Sequence, residues 1–302
     1  MQSINSRRGF TLVELLVVIG ILGILTAVLL GSVGGATESA RSAKCLANMR
    51  NLAVACQSYG MKEGIYPMAA SMECSALDES DGIRNVKSVY YERKGWISWA
   101  SEGAYAGKPT SSRAKTSWFV SAYETDEKIA SHSLTNGTLW KYVGANRDVY
   151  RCPAHIKKAK TAGKPSPIWS YAMNGFFGGD ASMSGETLEW NESCVGYGNL
   201  SRADRRLLFA ELPFYDGIDD SISACDGAFQ YKGMYGSSSS AEEIHFNHKV
   251  GKNRCAHVAY ADGHVDKLLM PRGEGDAREL AQWLCEGKDV GFNGNTYEKL
   301  SD

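Results

Sequence analysis

Between Phe10 and Leu30 the chain is apolar except at Thr11, Glu14, Gly20, Gly23 and Thr26, and no other stretch restricts its fate as strongly. Wound as a helix, that run is about 30 Å long, the thickness of a bilayer's hydrocarbon core. Arg7 and Arg8 precede it, and the first acidic residue beyond it is Glu38. Basic flanks stay on the cytoplasmic side, so the N-terminus is expected inside and everything after Gly31 outside.

A secretory signal peptide has a shorter apolar core with a small-residue cleavage site behind it. Here the run is longer and no such site follows. A plain signal anchor leaves Glu14 unexplained, because a carboxylate near the end of a span costs about 2 kcal/mol or more. Cleavage between Gly9 and Phe10 gives it a purpose. The new α-amino group of Phe10 would lie one helical turn from Glu14, where opposite charges neutralise each other within a subunit or between neighbours. The same cut removes both arginines and leaves a helix nearly free of charge.

The stretch Arg7-Arg8-Gly9-Phe10-Thr11-Leu12-Val13-Glu14-Leu15-Leu16-Val17-Val18-Ile19 resembles the prepilin-type cleavage and methylation motif of type IV pilins and type II secretion pseudopilins. The resemblance implies a leader over residues 1–9, cleavage after Gly9 by a prepilin peptidase, N-methylation of Phe10, and a role for Glu14 in aligning subunits. It also implies a bacterial inner-membrane protein with a transmembrane or assembly helix over 10–33. Its partners would be other pilin or pseudopilin subunits, the inner-membrane assembly platform and the lipid bilayer.

Residues 34–60 read as a stalk continuing that helix. Leu46, Met49, Ala53, Cys56 and Gly60 follow a 3–4 spacing, while Glu38, Arg41, Lys44 and Arg50 supply a polar face. Cys45 and Cys56 are eleven residues apart, so they are separated by about 16 Å along the axis and cannot bridge each other. The run Ala40-Arg41-Ser42-Ala43-Lys44-Cys45-Leu46-Ala47-Asn48-Met49-Arg50 resembles the stalk of a subgroup of pilin-like proteins. Val149-Tyr150-Arg151-Cys152-Pro153, Ser170-Tyr171-Ala172-Met173-Asn174 and Tyr260-Ala261-Asp262-Gly263-His264-Val265 resemble segments of pilin-like proteins with an H-x9-DG processing-associated domain. The signature residues are thus Cys152, Pro153, Tyr171, Asn174, Asp262 and Gly263. The position ten before Asp262 is Lys252, however, and the nearest histidine that fits is His248, fourteen before it. A four-residue expansion of the loop reconciles the two.

An α+β fold is expected, with one long N-terminal helix packed against a mostly antiparallel sheet in a head spanning 61–302. Strands are predicted at Val149–Cys152, Ile168–Met173, Arg206–Leu212, Cys255–Tyr260 and His264–Leu268. Asp262-Gly263 turns the last pair into a hairpin, part of an H-x9-DG-like unit at 245–268. A helix is predicted at Ala277–Cys285, with Leu280, Trp283 and Leu284 on its apolar side. Residues 71–117, rich in Ser, Gly, Lys and Glu, read as a loop-rich insertion.

The net charge of −1 offers no field for nucleic acid, and none is expected as a partner. Eight cysteines are an even number, and export would favour disulfides, the alternative being buried thiols. Weak zinc candidates are Cys152, His155, His245, His248, Cys255, His257 and His264. Asp216, Asp219 and Asp220 are weak calcium candidates, for which a solvated acidic turn is the commoner explanation. No cofactor is otherwise called for. No hydrolase, phosphate-loop or metalloprotease motif occurs, so catalysis is not expected. The 15 tyrosines and 7 tryptophans suit either a binding surface or a core. A structural filament subunit is the leading expectation. A tethered, non-polymerising binding module is the alternative, and a tethered metalloenzyme on the His/Cys set the remote one.

Overall fold

A computed structural model of the chain describes residues 10–69, 72–78, 85–93, 95–97, 122, 127–177, 181–184, 187–190, 195–212, 227–229, 244–272 and 276–301. Of these, backbone alone is described at 28–34, 72–78, 85–93, 128–129, 181–184, 187–190, 276–278 and 301. The chain divides after Ala40 into two units.

The first unit holds the opening of helix α1, which runs Leu12–Glu63. The Glu14 carboxylate accepts the Thr11 amide and the Thr11 hydroxyl, each at 2.8 Å. The Thr11 hydroxyl in turn accepts the Glu14 amide at 3.3 Å. This reciprocal arrangement is a capping box, which supplies partners to donors that the first turn of a helix leaves over. Large apolar side chains from Phe10 to Leu25 are all exposed. Among the described residues, no helix is long and apolar enough to cross a membrane. The side chains of 28–34 lie outside that description, so a span over 10–33 is an expectation of the sequence.

The second unit opens with the remainder of α1, whose buried residues recur every three or four positions: Ser42, Cys45, Met49, Leu52, Ala53, Cys56. The predicted face is displaced slightly, because Leu46 is only half-buried while Cys45 and Leu52 are fully buried. Gly60 ends this face, and a Cβ there would lie 2.2 Å from the ring of Tyr197.

A six-stranded sheet forms the centre of this unit. Its strands are β3 (Tyr171–Asn174), β6 (Leu207–Glu211), β7 (Ala228–Phe229), β8 (His248–Val250), β9 (Asn253–Tyr260) and β10 (Val265–Leu269). The order is β10-β9-β6-β3-β7, with β8 paired to β9; only β3 and β7 run parallel. Two-stranded sheets form between β1 (Met72–Asp78) and β2 (Asn85–Arg93), β4 (Ala181–Ser184) and β5 (Thr187–Trp190), and β11 (Asp289–Phe292) and β12 (Tyr297–Ser301). The first of these lies within the segment expected to be a loop-rich insertion. Helix α2 spans Glu127–Thr135, and helix α4 (Asp276–Glu286) matches the predicted 277–285 helix, with Leu280 and Leu284 buried. The architecture is the expected α+β, pilin-like one.

The turn after β9 forms as Asp262-Gly263 predicts. Gly263 donates to the Tyr260 carbonyl at 2.9 Å and sits at φ +94°, a region open to glycine. A second, tighter turn at Gly251-Lys252 joins β8 to β9, and these residues lie within the extra length separating His248 from Asp262.

One predicted strand is corrected. Residues Arg147–Tyr150 form a 3₁₀ turn, and Cys152 occupies the position just before helix α3 (Pro153–Thr161). Asn146 caps the turn by accepting the Asp148 amide, and Pro153 is pre-set for the first helical position. Val149 and Tyr150 are buried side by side, a pattern that reads as a strand from sequence alone.

Many of the aromatic residues that are described lie in the core. Trp96, Trp169, Tyr150 and Tyr171 are fully buried, and Trp96 stacks on Tyr150 with centroids 5.7 Å apart.

Candidate functional site

Among the described residues, two places carry chemistry. At the N-terminus, Phe10 is exposed and Glu14 is engaged by Thr11. Gly9 lies outside the described residues. Sequence reasoning assigned Glu14 to the Phe10 amine and overlooked the Thr-x-x-Glu capping box, although its spacing is plain in the sequence.

The second place is buried in the head. Cys45 on α1, Cys152 at the start of α3, Glu211 at the end of β6 and His248 at the start of β8 converge there. Their ligating atoms all lie within 4.8 Å of one another, and all four side chains are fully buried. Glu211 Oε1 accepts from Cys45 Sγ at 3.0 Å and from His257 Nδ1 at 3.0 Å, and lies 3.1 Å from His248 Nε2. The same His248 nitrogen is 3.2 Å from Cys152 Sγ. Outside these contacts, Tyr171 donates to Cys45 Sγ at 3.3 Å, and Ser42 Oγ lies 3.0 Å from His257 Nε2.

Each member is placed by local structure. Ser42, Cys45 and Asn48 are three residues apart, so they share one face of α1. Asn48 donates to the Asp148 and Arg151 carbonyls at 2.9 and 2.8 Å, fixing the backbone that leads into Cys152. Cys152 makes no side-chain cap bond to α3, so its sulfur turns toward the cluster. Behind Glu211, the Asn247 side chain donates to the Leu212 carbonyl and accepts from Lys158. The signature residue Asn174 acts elsewhere, bridging β3 to the Leu207 and Cys285 carbonyls.

Burial would force most of these groups into their neutral forms, and charge pairing decides which of them resist. Burial pushes the Cys45 thiol well up, with Cys152 and Glu211 adding to the effect. Cys152 goes the other way: burial opposes ionisation, but hydrogen bonds with Cys45 and His248 outweigh it and bring the thiol down to about 7. For His248, burial disfavours the cation, yet contacts with Cys152 and Glu211 raise it to about 10. Glu211 is likewise penalised by burial, but His248 and His257 hold it well below the usual carboxylate range. The site is thus a buried acid–thiol–imidazole network suited to holding a cation.

Of the seven zinc candidates read from the sequence, the structure gathers Cys152 and His248 into this group. His257 stands behind Glu211 as its donor. His155 is buried on α3, and burial drops it to about 4. His245 is half-buried on the approach to β8, and His264 stacks on Tyr260 in the hairpin turn and bonds Asp262. Cys255 is buried on β9, opposite His248 in register, and is no part of the group. Cys45 and Glu211 were missed: neither sits in a Cys/His pair, and only the fold brings them together. Asp216, Asp219 and Asp220 lie outside the described residues. Disulfides are not found among the described side chains, where Cys45, Cys56, Cys152, Cys255 and Cys285 are all buried thiols.

Residues 4–30 match the family model of the prokaryotic N-terminal methylation motif. The chain is therefore type IV pilin-like at its N-terminus. Neither a curated protein nor a solved structure matches it.

Proposed function

We propose that the chain is a prepilin-processed structural subunit of a type II secretion pseudopilus or a type IV pilus-like filament. It is cut after Gly9, methylated on Phe10 and held in the inner membrane by residues 10–33, with the head on the far side. The match to the methylation motif over residues 4–30 carries this reading. It is supported by the row of exposed apolar side chains from Phe10 to Leu25, which lipid or neighbouring helices would cover. A head of this size suits a minor or specialised subunit. The role is assembly rather than catalysis, with prepilin peptidase, other pilin subunits and the assembly platform as partners.

Once the leader is removed, the Phe10 amine becomes a new cation one turn from Glu14. Glu14 then exchanges its Thr11 contacts for that amine or for a neighbouring subunit's. Assignment to the H-x9-DG group of pilin-like proteins is supported by His248, whose buried place in the cluster gives the displaced histidine a structural task.

Mass spectrometry of the N-terminus, in cells with and without active prepilin peptidase, tests the reading. The expected product begins at methylated Phe10 only when the peptidase is active, and cross-links to neighbouring pilin subunits. A chain retaining Met1 to Gly9 beside an active peptidase overturns it. Correct processing without any subunit cross-links favours a tethered, non-polymerising module instead.

A further inference from the structure

The geometry points to a structural zinc site formed by Cys45, Cys152, Glu211 and His248, which ties the helix α1 to the head. Two sulfurs, one imidazole nitrogen and one carboxylate oxygen make a donor set that zinc takes in tetrahedral coordination. The four atoms lie within 4.8 Å of one another. Tetrahedral bonds of about 2.0–2.3 Å hold ligand atoms about 3.3–3.8 Å apart. Three of the six separations, Cys45–Glu211, Glu211–His248 and His248–Cys152, are 3.0–3.2 Å and need only a few tenths of an ångström of outward movement.

The surroundings are those of a ligand shell. Tyr171 donates to the Cys45 sulfur and His257 to the Glu211 carboxylate, and Ser42 fixes the other nitrogen of His257. Donors of this kind orient metal ligands and offset their charge. Complete burial of all four side chains fits a closed structural site and leaves no room for a substrate.

The rival account is a Cys45–Cys152 disulfide. It would engage only the two sulfurs and leave the buried Glu211 carboxylate and His248 imidazole beside them with no share in the bond. A cation bound by both thiolates, the carboxylate and the imidazole uses every group. On binding, both sulfurs act as thiolates and His248 as a neutral imidazole, so whatever protons Cys45, Cys152 and His248 carry beforehand pass to solvent. The site joins α1, α3, β6 and β8, and so performs the cross-linking expected of disulfides in an exported domain. It belongs to the head and does not depend on filament assembly.

The test uses the full chain purified in detergent without chelator. Elemental analysis is expected to give one zinc per chain. Replacement by Co(II) should give a near-ultraviolet thiolate-to-cobalt band and intense visible d–d bands of a tetrahedral site. Cys152→Ser and Glu211→Gln should lower zinc occupancy at least several-fold, while Cys56→Ala and Cys285→Ala, at buried thiols outside the group, keep it. Where a ligand variant does not fold, the native chain still decides the matter through its zinc content and cobalt spectrum. Metal-free protein with both thiols open to alkylation after unfolding, or a Cys45–Cys152 disulfide in protein taken directly from cells, overturns the site.

Discussion

The two ends of helix α1 both carry leucines, and these meet opposite fates. Leu16 is 60% exposed and Leu52 is fully buried, although both are leucines in the same helix. Near its start, apolar side chains cover every face and none has a complement within its own unit. From Ser42 onward the helix is more polar, yet one narrow stripe is sealed, because small residues, two cysteines and Asn48 fit the sheet and the 3₁₀ turn. Hydropathy therefore marks the part of the helix that needs lipid or other subunits. Shape and hydrogen bonding mark the part that belongs to the fold. The start of the helix is held by its own cap, and the later part by tertiary contacts.

The largest effect expected from this contrast is on head stability. Leu52→Ala should destabilise the head by about 2–5 kcal/mol, through lost transfer energy and the cavity left behind. Leu16→Ala should leave it within about 0.5 kcal/mol. Tryptophan fluorescence during denaturation in detergent reads this cleanly, since no tryptophan or tyrosine occurs before Tyr59. Equal effects of the two substitutions would break the comparison.

Acid should separate the two regions next. Burial lowers His155 to about 4, with Lys158 and His245 assisting and Glu211 opposing. An unfolded histidine takes a proton near pH 6.5, so between pH 6.5 and 4 the unfolded head binds more protons than the folded one. Head stability therefore falls as pH drops through that window, by about 3 kcal/mol in all, and His155 contributes no further loss below it. In the metal-free head, the raised value of His248 acts on the other side of 6.5, where its contribution is lost as pH rises toward 10. Denaturant midpoints measured at pH 7 and pH 4.5 should converge in His155→Asn, while the helicity of residues 12–27 stays unchanged by pH in this window. A slope that survives the substitution assigns the effect to other groups.

The smallest effect is local. In the uncleaved chain, Thr11→Ala removes one half of the capping box and should cost about 1 kcal/mol at the helix start. Amides of the first turn would exchange several-fold faster, with no change in the head's denaturation midpoint. A change in that midpoint would show that the start of α1 is coupled to the head.

Much of this molecule could be read in advance where the cause is local. The Asp262-Gly263 turn follows from glycine's access to positive φ, and the helix at 276–286 from the spacing of Leu280 and Leu284. The methylation motif from Arg7 to Ile19 is contiguous, and so is the Thr11–Glu14 cap. Val149–Cys152 misled because two adjacent buried residues look like a strand, whereas Asn146 and Pro153 impose a turn and a helix start. The buried cluster was half legible: Cys152 and His248 stood out among paired cysteines and histidines, and Cys45 and Glu211 did not. What the sequence determined by itself is the processing signal, the apolar helix and the turn chemistry, since each depends on neighbours a few residues away. Only the tertiary structure decided which four of many polar side chains meet, because Cys45, Cys152, Glu211 and His248 come from four elements far apart in the chain. Their buried charges are tolerable only where the sheet and α1 close around them together.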